Sequence, residues 1–561
     1  MLENLSRRLR RCYLLCLTGV FLLSATLAFA QTTVGTGSIV GTVTDPSGAV
    51  VSGAKVTITN TATGQIIDQT TNASGAFNSG AVSPGSYRIA VSNKGFSTTS
   101  TTVNVQVGNT ATANMKVQVG QESQTIEVQA ATLAVNTEQA TVQGVLNSNQ
   151  IENLPVNGRN FLDLAQLEPG VQIQDGQNFD PTKAGYSSIS FGGRFGRTAR
   201  INVDGIDVSD ETVGTTTADI PASAIDEFQL SQSSLDLSND LTSSGAVNVT
   251  TKSGTNAFHA EAFEFLRDHT FNANVPGGTD NPFQRHQFGG RLGGPIIKNK
   301  AFFFLDGERT KQDSFAAVLV SAPLDNFSGG FSQPFRESNL LGRVDYDLGH
   351  SAKAFYRYSY FSSLLAATFG LGYEVYNTKN YTRNHVAGID LTTGNFTHSI
   401  RYSYLKFQNG IVDATVGNNA LPLCCTGVEI RIGSSFFSGP NHLAPQATPQ
   451  ANHQIKYDGS RAFGRHILRY GVSYNHIQGG GFANFYQLAP RVRTLLGDEE
   501  IAFANLNLAG PGGASNPLNY PVERLTIGNG LGFNTENPAL GFPAGGLGPD
   551  NRFGIYIGNS C

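Results

Sequence analysis

The residue types that most often carry chemistry are present in this chain, but they are not spaced to perform it. All ten His fall between His259 and His476, and none forms an HxH or HxxxH pair that would bring two imidazoles to one metal. There is no Walker loop, no GxSxG and no GxGxxG before a helix. Cys424 and Cys425 are adjacent in the loop 421–432; a vicinal pair rarely bridges to itself, so pairing with Cys561 or another chain and two loop thiols without a role both stay open. The run DGIDVSD places Asp204, Gly205, Asp207 and Asp210 close together, yet its Gly is second and no Glu stands twelfth, so it is not an EF-hand loop. What remains is electrostatic: Arg159, Arg194, Arg197 and Arg200 gather around that acidic run. No catalytic, cofactor or metal site is read from the sequence, and the expectation is a protein that is not an enzyme.

The elements that must position these charges are strands. Gly accounts for 64 of 561 residues, charged residues for 14% and aromatics for 10%, with no Trp. Helical domains draw on Glu, Lys, Arg and Ala, so this balance points to strands and turns. Five Cys in 561 residues exclude a disulfide scaffold. The net charge is −4, and because the first thirty residues hold four Arg and one Glu the remainder carries about −7. Such a chain has no basic stripe to neutralise phosphates, which excludes nucleic acid as a partner.

Arg7, Arg8, Arg10 and Arg11 precede an apolar run from Tyr13 to Leu27 and then Ala28-Phe29-Ala30, the pattern of a secretory signal peptide over residues 1–30. Residues 36–119 follow as short β-branched runs separated by Asp45-Pro46-Ser47-Gly48, Ser74-Gly75 and Ser83-Pro84-Gly85, which predicts an antiparallel sandwich of about seven strands. The order GxVxDxxGxxxxGAxVxIxN, TxxxGxF, PGxYxxxVxxxGF resembles the carboxypeptidase regulatory-like domain. The segment contains no His, no HExxH and no paired carboxylates, so peptidase chemistry is not expected of it. A periplasmic spacer or docking role is favoured, with polysaccharide binding as the other reading.

Residues 120–135 read as a linker. Within it Gln124, Thr125, Ile126, Glu127, Val128, Gln129 and Ala130 resemble the TonB box, a segment that an energy-transducing periplasmic protein grips by strand addition; the same residues also read as the last strand of the sandwich. Residues 136–256 carry LPVNGRNFLDLAQLEPGV, SISFGGRFGRTARINVDGIDVSD and AIDEFQLSQSSLDLSNDLTSSGAVNVTTKSGTN. In order and spacing these resemble the plug domain of TonB-dependent outer-membrane transporters of the Oar-like branch. The plug motifs are Asn157, Gly158, Arg159 and Asn160, then Arg194, Arg197, Arg200, Asp204, Gly205 and Asp207. Asp204-Gly205 is also a two-residue hairpin signal, since a type I′ turn needs positive φ at both positions. The four Arg either line a ligand route or clamp the plug against acidic residues of a barrel lumen, and the second is favoured because polar interiors need paired charges.

From residue 257 onward the period becomes two. Val344, Tyr346 and Leu348 alternate with Arg343, Asp345 and Asp347; Ile400, Tyr402 and Tyr404 alternate with Ser399, Arg401 and Ser403. One apolar, Tyr-rich face and one polar face, with tight turns such as 348–351 and 393–395, predict a transmembrane β-barrel in outer-membrane lipid. About ten strands fit in 257–561, whereas barrels that enclose a plug have about twenty-two. The fold class expected is therefore all-β dominated: sandwich, α+β plug, and a partial antiparallel barrel belonging to a C-terminally incomplete receptor. The resemblance implies uptake of a large solute, with polysaccharide one candidate, coupled to a TonB-type partner. The rival expectation is a secreted β-sandwich carbohydrate-binding or adhesion protein, and a third is a non-functional receptor fragment.

Overall fold

The computed structural model describes residues 36–560 apart from 121–124, 129–142, 155–159, 177–178, 180–182, 184, 212, 233–241, 243, 273–281, 350–351, 369–371, 395, 464–465, 484–489, 507–509, 528–532 and 535–549. The leader, Gln124, Gln129, Ala130, Asn157, Gly158, Arg159 and Cys561 lie outside the described residues.

Nine strands build the first unit: β1 Gly37–Thr44, β2 Lys55–Asn60, β3 Ile66–Thr70, β4 Ala76–Val82, β5 Gly85–Ser92, β6 Thr98–Val105, β7 Thr110–Thr112, β8 Met115–Lys116 and β9 Thr125–Val128. They form two sheets, β4-β1-β7 with β8 beside β1, and β3-β2-β5-β6-β9. The expected seven strands become eight before β9, because β7 and β8 pair in turn with the two halves of β1. Alternation does the folding: Ile39, Val43, Val56, Ile58, Ile89 and Val91 turn inward to one core. The turns are chemically fixed, with Asp45 Oδ1 accepting from the backbone N–H of Ser47 and of Ala49, both at 2.9 Å. Tyr87 donates its hydroxyl to the Ser83 carbonyl four residues upstream at 2.8 Å, which pins the connection into β5.

The second unit contains β10 Gln143–Asn147, β11 Val171–Asp175, β12 Ser187–Phe191, β13 Arg200–Val203, β14 Ile206–Asp207, β15 Ile225–Ser231 and β16 Ala246–Thr251. A mixed sheet runs β10-β15-β16-β13-β14, with β11 and β12 as a separate pair. Asn147 caps the short helix Ser148–Asn153, and Asn160 caps the 3-10 turn Phe161–Leu167 by accepting from the Leu162 N–H at 2.9 Å. Phe161, Leu162, Ile189, Phe191, Val203, Phe228 and Val247 form the centre of its core.

The third unit is a sheet of long strands. Its members are β17 His259–Asp268, β18 Phe283–Ile297, β19 Ala301–Val318 with the short β20 Gly329–Ser332, β21 Phe335–Asp347, β22 Ala352–Thr368, β23 Val375–Thr393 and β24 Phe396–Asp413. After β25 Glu429–Ile432 and β26 Phe436–Ser438 come β27 Gln446–Phe463, β28 His466–Gly479, β29 Phe482–Ala483, β30 Arg491–Thr494, β31 Arg524–Thr526, β32 Phe533–Asn534 and β33 Asp550–Ser560. Ten of them lie side by side in the order β17-β18-β19-β21-β22-β23-β24-β27-β28-β33, each antiparallel to the next. One end has turns of a few residues and the other has long loops, as in outer-membrane barrels. Among the described residues β17 pairs only with β18 and β33 only with β28, so the sheet is an open, partial barrel.

The outer face carries continuous apolar rows. Cross-strand register aligns Ile400, Tyr457, Val472 and Ile555 in one row and Tyr402, Ile455, Tyr474 and Phe553 in the next. Along β24 the outward residues run Phe396, His398, Ile400, Tyr402, Tyr404 and then Lys406. The eight steps from Phe396 to Tyr404 span about 27 Å along the strand, enough to cross most of the apolar band of such barrels. The inward face packs on the plug, with Leu405 and Phe407 in the plug's own core cluster.

The sandwich sits at the short-turn end. Asn256 donates through Nδ2 to the Thr63 carbonyl and to Asn299 Oδ1, both at 2.7 Å, and Lys353 Nζ donates to Ser83 Oγ at 3.4 Å. The Val107 N–H donates to Glu227 Oε2 at 2.5 Å, joining sandwich to plug sheet. At the opposite end the long loops form a small sheet of their own, β26-β25-β30-β31, over a core that includes Ile430, Ile432, Phe436 and Tyr520. No described helix is long and apolar enough to cross a membrane.

Candidate functional site

The DGIDVSD segment makes the hairpin its sequence requires. Asp204 and Gly205 take φ of 52° and 86°, and β13 pairs with β14 across them. This turn pushes Asp204 against the barrel wall. Its Oδ1 accepts from the Thr251 N–H at 2.9 Å and pairs with Arg343 Nη1 at 3.2 Å. Its Oδ2 accepts from Thr251 Oγ1 at 2.9 Å and pairs with Arg357 Nη1 at 3.0 Å. The Arg343 guanidinium also forks onto Asp345, at 2.9 and 3.0 Å, and stands 4.4 Å from the Phe355 ring centroid. These charges are buried; Arg357 is 0% exposed. A small cavity of about 20 Å³ between plug and wall is lined by Arg357, Thr217, Asp219, Asn339 and Thr382, enough for a single water.

The seam continues on both sides. The Asp207 N–H donates to Gln454 Oε1 at 3.1 Å and the Glu211 N–H to Gln450 Oε1 at 3.0 Å. Glu211 Oε2 accepts from Arg552 of β33 at 2.7 Å, and Glu152 Oε1 from Arg291 of β18 at 2.5 Å. Burial works against the ionised Glu152, but hydrogen bonds from Arg291 and Lys252 outweigh it and hold its pKa at about 2. Glu227 has no cation to offset burial, which raises its pKa to about 8.

The seam corrects the expected clamp. Acidic plug residues meet basic wall residues, the reverse of the polarity expected from Arg194, Arg197 and Arg200. Arg200 is satisfied within the plug by Asp207 and Glu211, each at 3.1 Å. Arg197 donates through Nε to the Val213 carbonyl at 2.7 Å, and Arg194 and Arg197 are exposed. Asp210 pairs with Lys183 at 2.8 Å, both fully buried inside the plug.

A second charged centre lies in the outer loops. Glu429 Oε1 accepts from Arg431 Nε at 2.7 Å and Arg491 Nε at 3.0 Å, its Oε2 lies 2.9 Å from His442 Nδ1, and Glu374 receives Arg431 Nη2 at 2.7 and 3.0 Å. Glu374, Glu429 and His442 are close enough together to hold a metal ion. Arg431 and Arg491 already pair with these carboxylates, so the arrangement is an ion-pair network tying β25 to β30. Burial and the adjacent Glu429 push Glu374 up to about 8. Burial also opposes ionisation of Glu429, but hydrogen bonds from His442 and Glu374 and the charge of Arg431 bring its pKa down to about 2.

An outer membrane beta barrel domain model matches residues 250–337 and 321–490, and a carboxypeptidase regulatory-like domain model matches residues 38–118. The TonB-dependent transporter Oar of Myxococcus xanthus is 24% identical over 325 residues, covering 54% of this chain and 29% of that protein. In sequence, this chain is thus similar to the Oar-type TonB-dependent transporters. The outer membrane transporter YddB from Escherichia coli shares the fold, with a TM-score of 0.50 and 11% identity over 63% of this chain and 50% of YddB. The chain thus spans about half, or less, of the relatives it matches.

In this chain, Asn160, Arg200, Asp204, Gly205 and Asp207 all lie in the plug, and Asp204 and Asp207 reach the wall. Sequence reasoning passed over Arg343, Arg357, Arg291 and Arg552. Their signal is a charged residue on the polar side of an alternating strand, where Ser or Thr would suffice. Cys424 and Cys425 are free thiols.

Proposed function

We propose that this chain is the N-terminal part of a TonB-dependent outer-membrane receptor, exported by its leader, that binds and admits a large solute. The observation that carries the reading is the buried Asp204–Arg343–Arg357 contact, which seats a folded plug on the inner face of a membrane sheet. The outer-loop sheet is the surface a solute meets first. A periplasmic TonB protein gripping the segment around Thr125–Val128 would draw on the plug through β10, and the seam from Asp204 to Thr217 is what must yield to open a path. No covalent chemistry is needed. Polysaccharide is one ligand class to be tried, alongside metal chelates and peptides.

Closing the sheet requires strands beyond the ten described, because unpaired edges in lipid leave backbone groups unsatisfied at several kcal/mol each. Fractionation of expressing cells tests the reading. Recovery with the outer membrane, resistant to carbonate extraction, is expected; recovery in the soluble periplasm would favour a secreted binding protein.

A further inference from the structure

The segment assigned above to a periplasmic partner is already paired within this chain. β9 runs parallel to β6, with Thr98 opposite Thr125, Thr99 opposite Ile126, Ser100 opposite Glu127 and Thr101 opposite Val128. It is the outermost strand of β3-β2-β5-β6-β9, and β6 would be the sheet edge without it. We infer that the sandwich caps the coupling segment, with β6 occupying the place that a partner's strand must take. This inference rests on the receptor reading and adds a regulatory role for the sandwich.

Three features support it. The first is the type of contact: strand addition is the mode by which an edge grips an extended segment, and β6 supplies such an edge. The second is clearance. Strands in a sheet lie about 4.8 Å apart, so a partner sheet on the far edge of β9 would place two folded domains on either side of a single four-residue strand. The third is exchangeability. The ladder is only four residues long, and the β6 residues in it are Thr98, Thr99, Ser100 and Thr101, which bring little apolar area to the contact. A short backbone ladder on a tether holds the segment at high local concentration without sealing it permanently.

The position of β9 gives the cap a mechanical consequence. Beyond Val128 the chain continues to β10, the edge strand of the plug sheet, five residues of which pair with β15. While β9 rests on β6, a pull on the segment loads the sandwich. Once it leaves, the pull reaches β10. The sandwich is also fixed to the plug sheet through Val107 and Glu227, so while β9 rests on β6 load on the sandwich passes to β15 rather than to β10.

The test uses the full chain in detergent, with Cys424, Cys425 and Cys561 replaced by Ser and the pair Ser100→Cys and Glu127→Cys introduced, and a purified periplasmic TonB domain as the probe. The oxidised protein is expected to bind the domain at least about tenfold more weakly than the reduced one, a population effect that dithiothreitol reverses. In the unmodified chain, adding the domain should speed hydrogen exchange at the amides of 98–101. Equal binding by oxidised and reduced forms, or unchanged exchange at 98–101 while the domain binds, would overturn the cap. Failure of the disulfide to form would contradict the β6–β9 register and overturn it as well. Absence of binding by the reduced and unmodified proteins alike would instead overturn the receptor reading beneath it.

Discussion

Asp204, at the tip of a plug hairpin, and Arg357, on the inner face of the barrel sheet, form an ion pair of 3.0 Å with both side chains buried. Removing one partner of a buried pair strands the other charge, which typically costs about 3–5 kcal/mol. Asp204→Ala is therefore expected to lower stability by that amount in urea unfolding and to expose the plug to protease. Replacing both partners, as in Asp204→Ala with Arg357→Met, should cost clearly less than the sum of the single changes. Additive single effects would mean that the contact does not hold the plug.

Gly205 follows Asp204 with φ of 86°, a conformation that costs an ordinary L residue about 1–2 kcal/mol. Gly205→Val should destabilise by at least that much and weaken the wall contacts, because the turn aims Asp204. Gly349→Ala, at φ of 122° in an exposed barrel turn with open space around the position, introduces backbone strain away from the seam. Comparing the two by thermal unfolding separates turn strain from loss of the seam.

Much of this architecture was legible in the sequence, and the parts that were not share a cause. Period-two alternation marks a strand, and turn residues mark its ends, so the ten-strand sheet and the sandwich were both readable. Side-chain type does not say which surface will face it. Arg200 was expected to reach the lumen wall, but Asp207 and Glu211 lie nearer in the fold and satisfy it, leaving the wall arginines to meet Asp204 and Glu152. The outer-loop sheet was invisible because β25 and β30 pair in parallel across two intervening barrel strands. The contact of Thr125–Val128 with β6 was readable only as one of two alternatives.

Acid and alkali should act at different joints. Burial raises Glu227 from 4.5 to about 8, so its contribution to stability of the folded state is fully present below pH 4.5 and is lost as pH rises through about 8. Glu152 has the opposite sign: with a pKa lowered from 4.5 to about 2, its contribution stands above pH 4.5 and is lost as pH falls towards 2. Urea unfolding should report lower stability at pH 8 than at pH 5 from this group. Glu227→Gln should flatten that change.

Glu429 pairs with Arg431 and Arg491 and faces His442 in the outer-loop sheet. Glu429→Ala leaves the buried Arg491 and the partly buried Arg431 without that carboxylate, and is expected to open the loops to protease within 414–445 while the membrane sheet stays intact. Equal cleavage rates in the two proteins would show that the network does not close this sheet.

Whether the ten-strand sheet lies in lipid with its polar face on the plug is read out by nitroxide labels placed singly at residues 399–404 in reconstituted membranes. Accessibility should alternate with a period of two: labels replacing Ile400, Tyr402 and Tyr404 should collide with oxygen and be shielded from a water-soluble nickel chelate. Labels replacing Ser399, Arg401 and Ser403 should be shielded from oxygen in the bilayer. Uniform exposure of all six labels to the nickel chelate would mean that the sheet does not lie in lipid.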